Sequence, residues 1–288
     1  MSKFEKYIKN YEENIDKHLS NIIVWTKEEF AKTGAKGVIL GMSGGIDCCV
    51  TARLYQEAGI PVKLVLMPYG ESMELAGDNN DAMALIEKFN FDYAIYDITK
   101  TVDSMVDVLD EISFVNPKSI LKKEGRIMGV DYKIEKPLKD EKVKLTDMAI
   151  SNIKPRVRMT TLYTLGQSLG YIVSGTGNLS ERTMGYFTKW GDGASDINII
   201  GNLTKTQVRI LGKALDLPER IITKAPSANL WKGQTDEDEM GITYPRLDAY
   251  IMFHEGSEED MKLIEDTKNR VTHKSKAIPM YPETYKMY

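Results

Sequence analysis

Residues 37–59 read GVILGMSGGIDCCVTARLYQEAG, and this stretch decides the fold. Val38 to Leu40 form an apolar run too short for a helix and β-branched enough for a buried strand. The run breaks at Gly41-Met42-Ser43-Gly44-Gly45, where glycines permit a sharp turn and a close approach of backbone to ligand. From Asp47 onward Val50, Leu54 and Ala58 recur at helical spacing, so a helix begins there. A strand, a glycine loop and a helix N-terminus in that order build an anion site: unpaired amide N–H groups and the positive helix pole face one point. Asp47, in the first turn, either caps the helix or holds a metal ion beside bound phosphates. A Walker loop is excluded because no Gly-Lys-Ser/Thr follows, and the glycine spacing does not fit a dinucleotide fingerprint.

On the N-terminal side, Phe4, Tyr7, Ile8, Tyr11, Ile15, Leu19, Ile22, Ile23 and Phe30 predict an amphipathic helix broken once, packed on the sheet or on a second subunit. Downstream, strands are expected at Val62–Met67, Tyr93–Ile98 and Tyr171–Ser174, with helices at Asp81–Phe89 and from Asn152 to about Leu169. This alternation predicts an α/β fold, a doubly wound, mostly parallel sheet with helices on both faces and ligands at the carboxyl ends of the strands. Asn116–Leu145 is lysine-rich, carries Pro117, Gly125, Gly129 and Pro137, and lacks sustained periodicity. It is expected to be a surface excursion with one short helix.

Chemistry-bearing residues gather in the second half. Lys154, Arg156 and Arg158 crowd a helix start, where they oppose the dipole unless an anion compensates. Gly175-Thr176-Gly177-Asn178-Leu179-Ser180-Glu181 repeats the opening device: strand end, small-residue loop, capped helix with an acid in its first turn. Asp47 and Glu181, at adjacent strand ends, suit one shared Mg²⁺ on a polyphosphate. Thr188–Asp196 is expected to be a mobile glycine loop with a lysine and two acids. Lys205 falls in the first turn of a helix running to about Leu215, where it could grip a phosphate. Pro226–Glu237 is non-periodic and reads as a lid or binding loop, and His273-Lys274 follow a helix at Ser257–Val271.

The bulk numbers narrow the classes. Forty-two per cent hydrophobic and 28% charged residues over 288 positions suit a soluble globular protein with a full core. A net charge of −4 gives no reason to expect nucleic acid as partner. No run of 18 apolar residues suggests a membrane span, and the charged N-terminus does not fit a signal peptide. Cys48 and Cys49 are adjacent, which excludes a disulfide framework and a Cys-x-x-Cys metal site. A reduced, cytoplasmic protein is expected.

Longer motifs then add specificity: Asn-x-Lys-x-Arg-x-Arg-Met at 152–159, Gly-Thr-Gly-Asn-x-Ser-Glu at 175–181, Thr-Lys-x-Gly-Asp-Gly at 188–193, Pro-Ser-Ala-x-Leu-Trp-x-Gly-Gln-Thr-Asp-Glu at 226–237, and His273-Lys274. With Ser-Gly-Gly-x-Asp at 43–47, this ordered set closely resembles the ammonia-dependent NAD synthetase family, from about Val38 to Lys274. The resemblance implies the pyrophosphate-releasing ATP-loop superfamily, with an adenine nucleotide alpha-hydrolase-like, Rossmann-like sheet. It implies one domain over 1–288, with an N-terminal helical segment at about 1–33, a surface insertion at about 116–145 and no glutaminase domain. The implied reaction adenylates the nicotinate carboxylate of deamido-NAD with ATP and Mg²⁺, then ammonia displaces AMP to give NAD.

By the same resemblance, Gly41, Met42, Ser43, Gly44, Gly45, Ile46, Asp47 and Cys48 would bind the departing pyrophosphate, and Asp47 and Glu181 would hold the metal. Thr176, Lys205 and Ser227 would contact ATP phosphates or the adenylate. Arg156, Lys189, Asp196, His273 and Lys274 would hold deamido-NAD, and Asp192 would take a proton from ammonium. A homodimer with the deamido-NAD site at its interface is implied, with no nucleic-acid or membrane partner. Cys48 replaces the family's serine, Met73 a common glutamine and Asn229 a common acid. At a helix N-terminus the Cys48 thiol should have a lowered pKa and raised reactivity. Two rival readings stay open: another AMP-forming, pyrophosphate-releasing ligase, such as a GMP synthetase core or a tRNA-thiolating enzyme, and a non-catalytic nucleotide-binding module. Thiolating enzymes usually carry spaced cysteines and a basic surface, which this chain lacks.

Overall fold

A computed structural model describes the backbone of residues 1–70, 77–114, 120–127, 130–137, 141–226 and 235–280, and the side chains of these except 77–79 and 113–142. In chain order the elements are α1 Lys3–Glu13, α2 Ile15–Ala31, β1 Gly37–Gly41, α3 Ile46–Glu57, β2 Val62–Leu66, α4 Gly77–Phe89, β3 Asp92–Ile95 and α5 Thr99–Asp110. Then follow β4 Ser113–Phe114, β5 Ile120–Ile127, β6 Val130–Pro137, β7 Glu141–Lys142, α6 Asp147–Ser151, α7 Ile153–Leu169, β8 Tyr171–Val173 and α8 Leu179–Met184. The rest is helical: α9 Lys205–Ala214, α10 Glu219–Thr223, α11 Asp236–Met240, α12 Tyr244–Phe253 and α13 Glu258–Ser275.

The main sheet has the order β3-β2-β1-β8, every neighbour parallel. Alternation along β1 explains the two-sided covering, since successive strand residues face opposite ways. Val38 and Leu40 pack with α3, α4 and α9, while Ile39 packs on the other face with Val102 of α5 and with Met159 and Leu162 of α7. The doubly wound, parallel expectation is met. Across β1 and β8, Ile39 sits beside Val173, so the two strands release their following loops side by side. A further cluster, built on Met184, Met240, Tyr244, Leu247 and Ile264, joins α8 and α11 to α13.

The N-terminal helix is broken once, at Asn14, as expected. Several expectations need correction. The third strand stops at Ile95, because Asp97 accepts the Thr99 N–H at 2.8 Å and turns the chain into α5, a helix absent from the sequence reading. Asn116–Leu145 holds no helix among its described residues; β5 and β6 pair antiparallel over eight residues each, and β4 pairs β7. Their pairing partners lie across the hairpin, where a search for helical period does not look. Helix α4 begins at Gly77 rather than Asp81, and α13 runs on to Ser275, so His273 and Lys274 belong to its last turn.

Candidate active site

Gly41 closes β1, and Met42 is tied to β2 by its N–H to the Val65 carbonyl at 2.9 Å. Gly44 has a φ of 80°, a left-handed conformation that a side chain disfavours, and this turns the chain into α3. Gly45 is the N-cap of α3 and no side chain caps that helix, so its first N–H groups are left for a ligand. Asp47 is therefore not the cap, one of the two roles open to it. Cys48 keeps the polar contacts a hydroxyl would make: its Sγ lies 3.3 Å from Ser43 Oγ and 3.0 Å from the Gly45 carbonyl. Its pKa falls to about 7, chiefly through a hydrogen bond from the Cys49 thiol, with burial opposing and Ser43 assisting. The direction matches expectation, and the neighbouring thiol is its largest cause. The sulfur is buried, which counts against ready reaction at the surface.

The second loop delivers the matching acid. Asn178 caps α8, and Glu181 Oε2 returns to the Asn178 N–H at 3.2 Å. The Asn178 amide also donates to Asp47 Oδ1 at 2.9 Å, linking the two loops directly. Lys205 completes the clasp, its ammonium 2.5 Å from Asp47 Oδ2 and 3.0 Å from Glu181 Oε1. The Lys205 side chain is only 3% exposed and each carboxylate residue's side chain 15%. Burial alone would push the Lys205 pKa down; the two carboxylates outweigh it and hold the ammonium charged. Burial pushes Glu181 up to about 7 against the pull of Lys205.

Side chains the sequence reading did not single out aim Lys205. Asp248, fully buried, accepts the Thr206 N–H at 2.9 Å and the Ser180 hydroxyl at 2.5 Å, and Ser180 Oγ in turn accepts the Lys205 N–H at 3.0 Å. Asp236, 4% exposed, accepts the Tyr244 hydroxyl at 2.9 Å, while the Tyr244 ring lies 5.0 Å from the Lys205 ammonium. Only the placement of Ser180 and Asp236 inside motifs hinted at this; Asp248 looks, in sequence, like an ordinary helical acid.

A second group lies around the 188–196 loop. It was expected to be mobile, yet bonds stitch it throughout: Asp192 Oδ1 accepts the Thr188 N–H at 2.9 Å, and Thr188 Oγ1 bonds Asn152 at 2.6 Å. Lys274 donates to the carbonyls of Gly185 and Phe187 at 2.7 and 2.8 Å, and Lys189 donates to the His273 carbonyl at 3.0 Å. Arg156, exposed, reaches the Lys189 carbonyl at 3.4 Å. Asp192 keeps exposed surface, but enough of the protein closes round its carboxyl that burial raises its pKa; the Thr188 N–H and the cations Lys274 and Arg158 oppose. Arg158, carried in a motif but given no role beforehand, donates to the Met67 carbonyl at 3.0 Å at the end of β2. Asp196 faces elsewhere, accepting the Val173 N–H at 2.8 Å and the Tyr163 hydroxyl at 3.1 Å, beside a shallow depression of about 310 Å³ that Trp25 and Glu29 also line. Among the described residues no hydrogen bond or ion pair joins it to Lys189 or Lys274. Thr176 is half-buried in the turn between β8 and α8. Ser227, Met73 and Asn229 lie outside the described residues, as does most of the Pro226–Glu237 stretch, whose ends meet through the Asp236 N–H on the Pro226 carbonyl at 3.0 Å.

The clasp suits one hard divalent cation. Mg²⁺ is commonly held by one or two carboxylates with phosphate and water completing its shell, not by an all-protein cage. Two carboxylates with four oxygens fit that description; burial raises the Glu181 pKa, and the neighbouring Asp47 charge adds to it, which a bound cation would relieve. Among the described residues no three His, Cys, Asp or Glu side chains are placed to hold one ion, so phosphate or water would have to complete a metal's shell here.

A family model described as NAD synthase matches residues 18–285. The NH(3)-dependent NAD(+) synthetase of Carboxydothermus hydrogenoformans is 39% identical over 274 residues, covering 95% of this chain and 98% of that protein. The protein of the same name from Mycoplasma genitalium is 37% identical, covering 91% and 93%. Among solved structures, NMN synthetase from Francisella tularensis superposes with a TM-score of 0.77 at 32% identity, covering 93% of this chain and 98% of that one.

Proposed function

The chain belongs to the NAD synthase family, and from that premise we propose that it is a carbon–nitrogen ligase converting deamido-NAD, ATP and ammonia to NAD, AMP and pyrophosphate. The observation carrying this reading is the convergence of Asp47, Glu181 and Lys205 beside an uncapped glycine loop at the carboxyl ends of two parallel strands. The nicotinate carboxylate attacks the α-phosphorus of ATP, and the departing pyrophosphate is held by the N–H groups of the Gly41–Cys48 turn. Asp47 and Glu181 would hold Mg²⁺, which when bound would offset charge on the polyphosphate. Lys205 adds a fixed cation at the same place, and Thr176 and Ser227 contact the phosphates or the adenylate. Arg156, Lys189, Asp196, His273 and Lys274 bind deamido-NAD. Ammonia then attacks the acyl carbon and AMP leaves.

Ammonia must be neutral to attack, so a base is needed for ammonium. Asp192 is that base: its raised pKa brings its basicity nearer the working pH. Asp192→Asn should lower turnover with ammonium while leaving nucleotide binding in place; an unchanged rate at saturating ammonium sinks this role. The chain acts as one unit from 1 to 288, in the cytoplasm, as a homodimer. Exposed Tyr163, Leu165 and Leu169 on α7 give apolar surface for a second subunit to cover. A fully active monomer at micromolar concentration by light scattering counts against that assembly. No described helix is long and apolar enough to cross a membrane.

The decisive assay follows AMP and the amidated product from ATP, Mg²⁺ and ammonium, with glutamine as a parallel nitrogen source. NAD formed from deamido-NAD with ammonium alone supports the reading. The similarity to the NMN synthetase of Francisella tularensis favours one second reading, amidation of the mononucleotide acid instead. Offering both acids in separate reactions and comparing kcat/KM distinguishes the two.

A further inference from the structure

Three sulfur atoms meet beneath the glycine turn. Cys48 Sγ lies 3.5 Å and Cys49 Sγ 3.9 Å from Met42 Sδ. All three side chains are buried. A single thiol in a core packs as a small hydrophobe, and one such contact would mean no more than that. Two thiols turned onto one thioether form a different donor set, soft throughout. Three sulfurs each about 2.3 Å from a shared ion stand about 4 Å apart, and both thiol-to-thioether distances are already close to that value. Hard cations are excluded by these donors, and zinc in a structural site takes four ligands.

We propose that Met42, Cys48 and Cys49 form a binding site for a soft, monovalent d¹⁰ cation, Cu(I) in the cell, with Ag(I) as its redox-inert counterpart. On binding, both S–H bonds break and two protons pass to solvent. Two thiolate–metal bonds form with a dative bond from Met42, and no electron changes hands. Entry is short, because Cys48 Sγ is 3.3 Å from the hydroxyl of exposed Ser43. Metal ligation also draws the Cys48 sulfur from the Gly45 carbonyl, which it meets at 3.0 Å, so occupancy is felt in the phosphate loop.

The test titrates Ag(I) into the intact, reduced protein, reading thiolate-to-metal absorbance, native mass and proton release. One Ag(I) per folded chain with release of two protons is expected, and X-ray absorption should show three sulfur neighbours. Cys49→Ala and Met42→Leu should each weaken binding by about tenfold or more, with circular dichroism confirming the fold of each. Uptake only by unfolded chain, or uptake undiminished in folded Cys49→Ala, overturns the site. Should both variants fail to fold, two sulfur neighbours instead of three in the wild-type spectrum overturns it as well. Binding is read without turnover, so a protein that binds Ag(I) yet amidates nothing keeps this site and loses the proposed reaction instead.

Discussion

Lys205→Met keeps a long unbranched stem and removes only the ammonium. An exposed ion pair of this geometry would be worth about 1 kcal/mol or less. Here the ammonium is 3% exposed and grips two carboxylates at 2.5 and 3.0 Å. Removing one member of a buried charge set costs about 3–5 kcal/mol, because the remaining charges are stranded. The stranded acids have one escape, which is to take up a proton. Glu181, whose ordinary value is 4.5, already titrates at about 7 with the lysine present, and without it the pKa must rise further. A group whose folded pKa exceeds its unfolded value contributes stability that is complete below the unfolded pKa. That contribution is lost as pH rises through the folded one, at up to about 1.4 kcal/mol per pH unit. Wild-type protein therefore finishes losing this contribution near pH 7, whereas the variant keeps losing it above. The deficit of Lys205→Met should be smallest at pH 5.5 and should widen by about 2 kcal/mol between pH 7 and 8.5. Urea unfolding without divalent metal, at those three pH values, reads it directly. Adding Glu181→Gln should recover much of the loss at pH 8.5. A deficit that is constant or narrowing with pH refutes the reasoning, since it would mean that the acids are not stranded.

Asp248→Ala leaves the Thr206 N–H and the Ser180 hydroxyl without their buried acceptor. It should cost about 2–4 kcal/mol, read as a lowered midpoint in calorimetry, with Asp248→Asn recovering at least part. Gly185 has a φ of +61°, and an added Cβ would meet the Val271 Cβ at 2.5 Å. Gly185→Ala should therefore cost about 2–5 kcal/mol from backbone strain plus overpacking, and a melting curve like that of wild type would contradict the packing of α8 on α13. Lys274→Met removes a cation that opposes the raised pKa of Asp192. The acid limb of the kcat profile should then move to higher pH, because Asp192 must be ionised to accept a proton; an unmoved limb separates Asp192 from the proton transfer.

How much was legible in the sequence depended on whether a signal was local. The glycine turn, Asp47 and the capped Glu181 could be read because strand, loop and helix lie within a few residues of each other. The helix α5 is locally legible too, in the spacing of Val102, Val106 and Leu109. What could not be read was pairing at distance. Lys205 reads, from its neighbours, as a cation fighting a helix pole; that its ammonium closes on Asp47 and Glu181 depends on α9 crossing back over α3. Asp248 carries no mark of its task, because its partners, Ser180 and Thr206, are 68 and 42 residues away. The three-sulfur cluster was hidden for a related reason: adjacent cysteines look barren until Met42 is seen to fold over them.

The clasp also has a place in time. Asp47 meets Asn178 across 131 residues and Lys205 across 158. Contacts of such separation form late, after the long intervening loops have been closed. At a synthesis rate of about 5–20 residues per second, a growing chain spends many seconds with its glycine turn made and no acids or lysine to complete it. The full clasp of Asp47, Glu181 and Lys205 is thereby completed only once β8 has joined the sheet and α9 has docked.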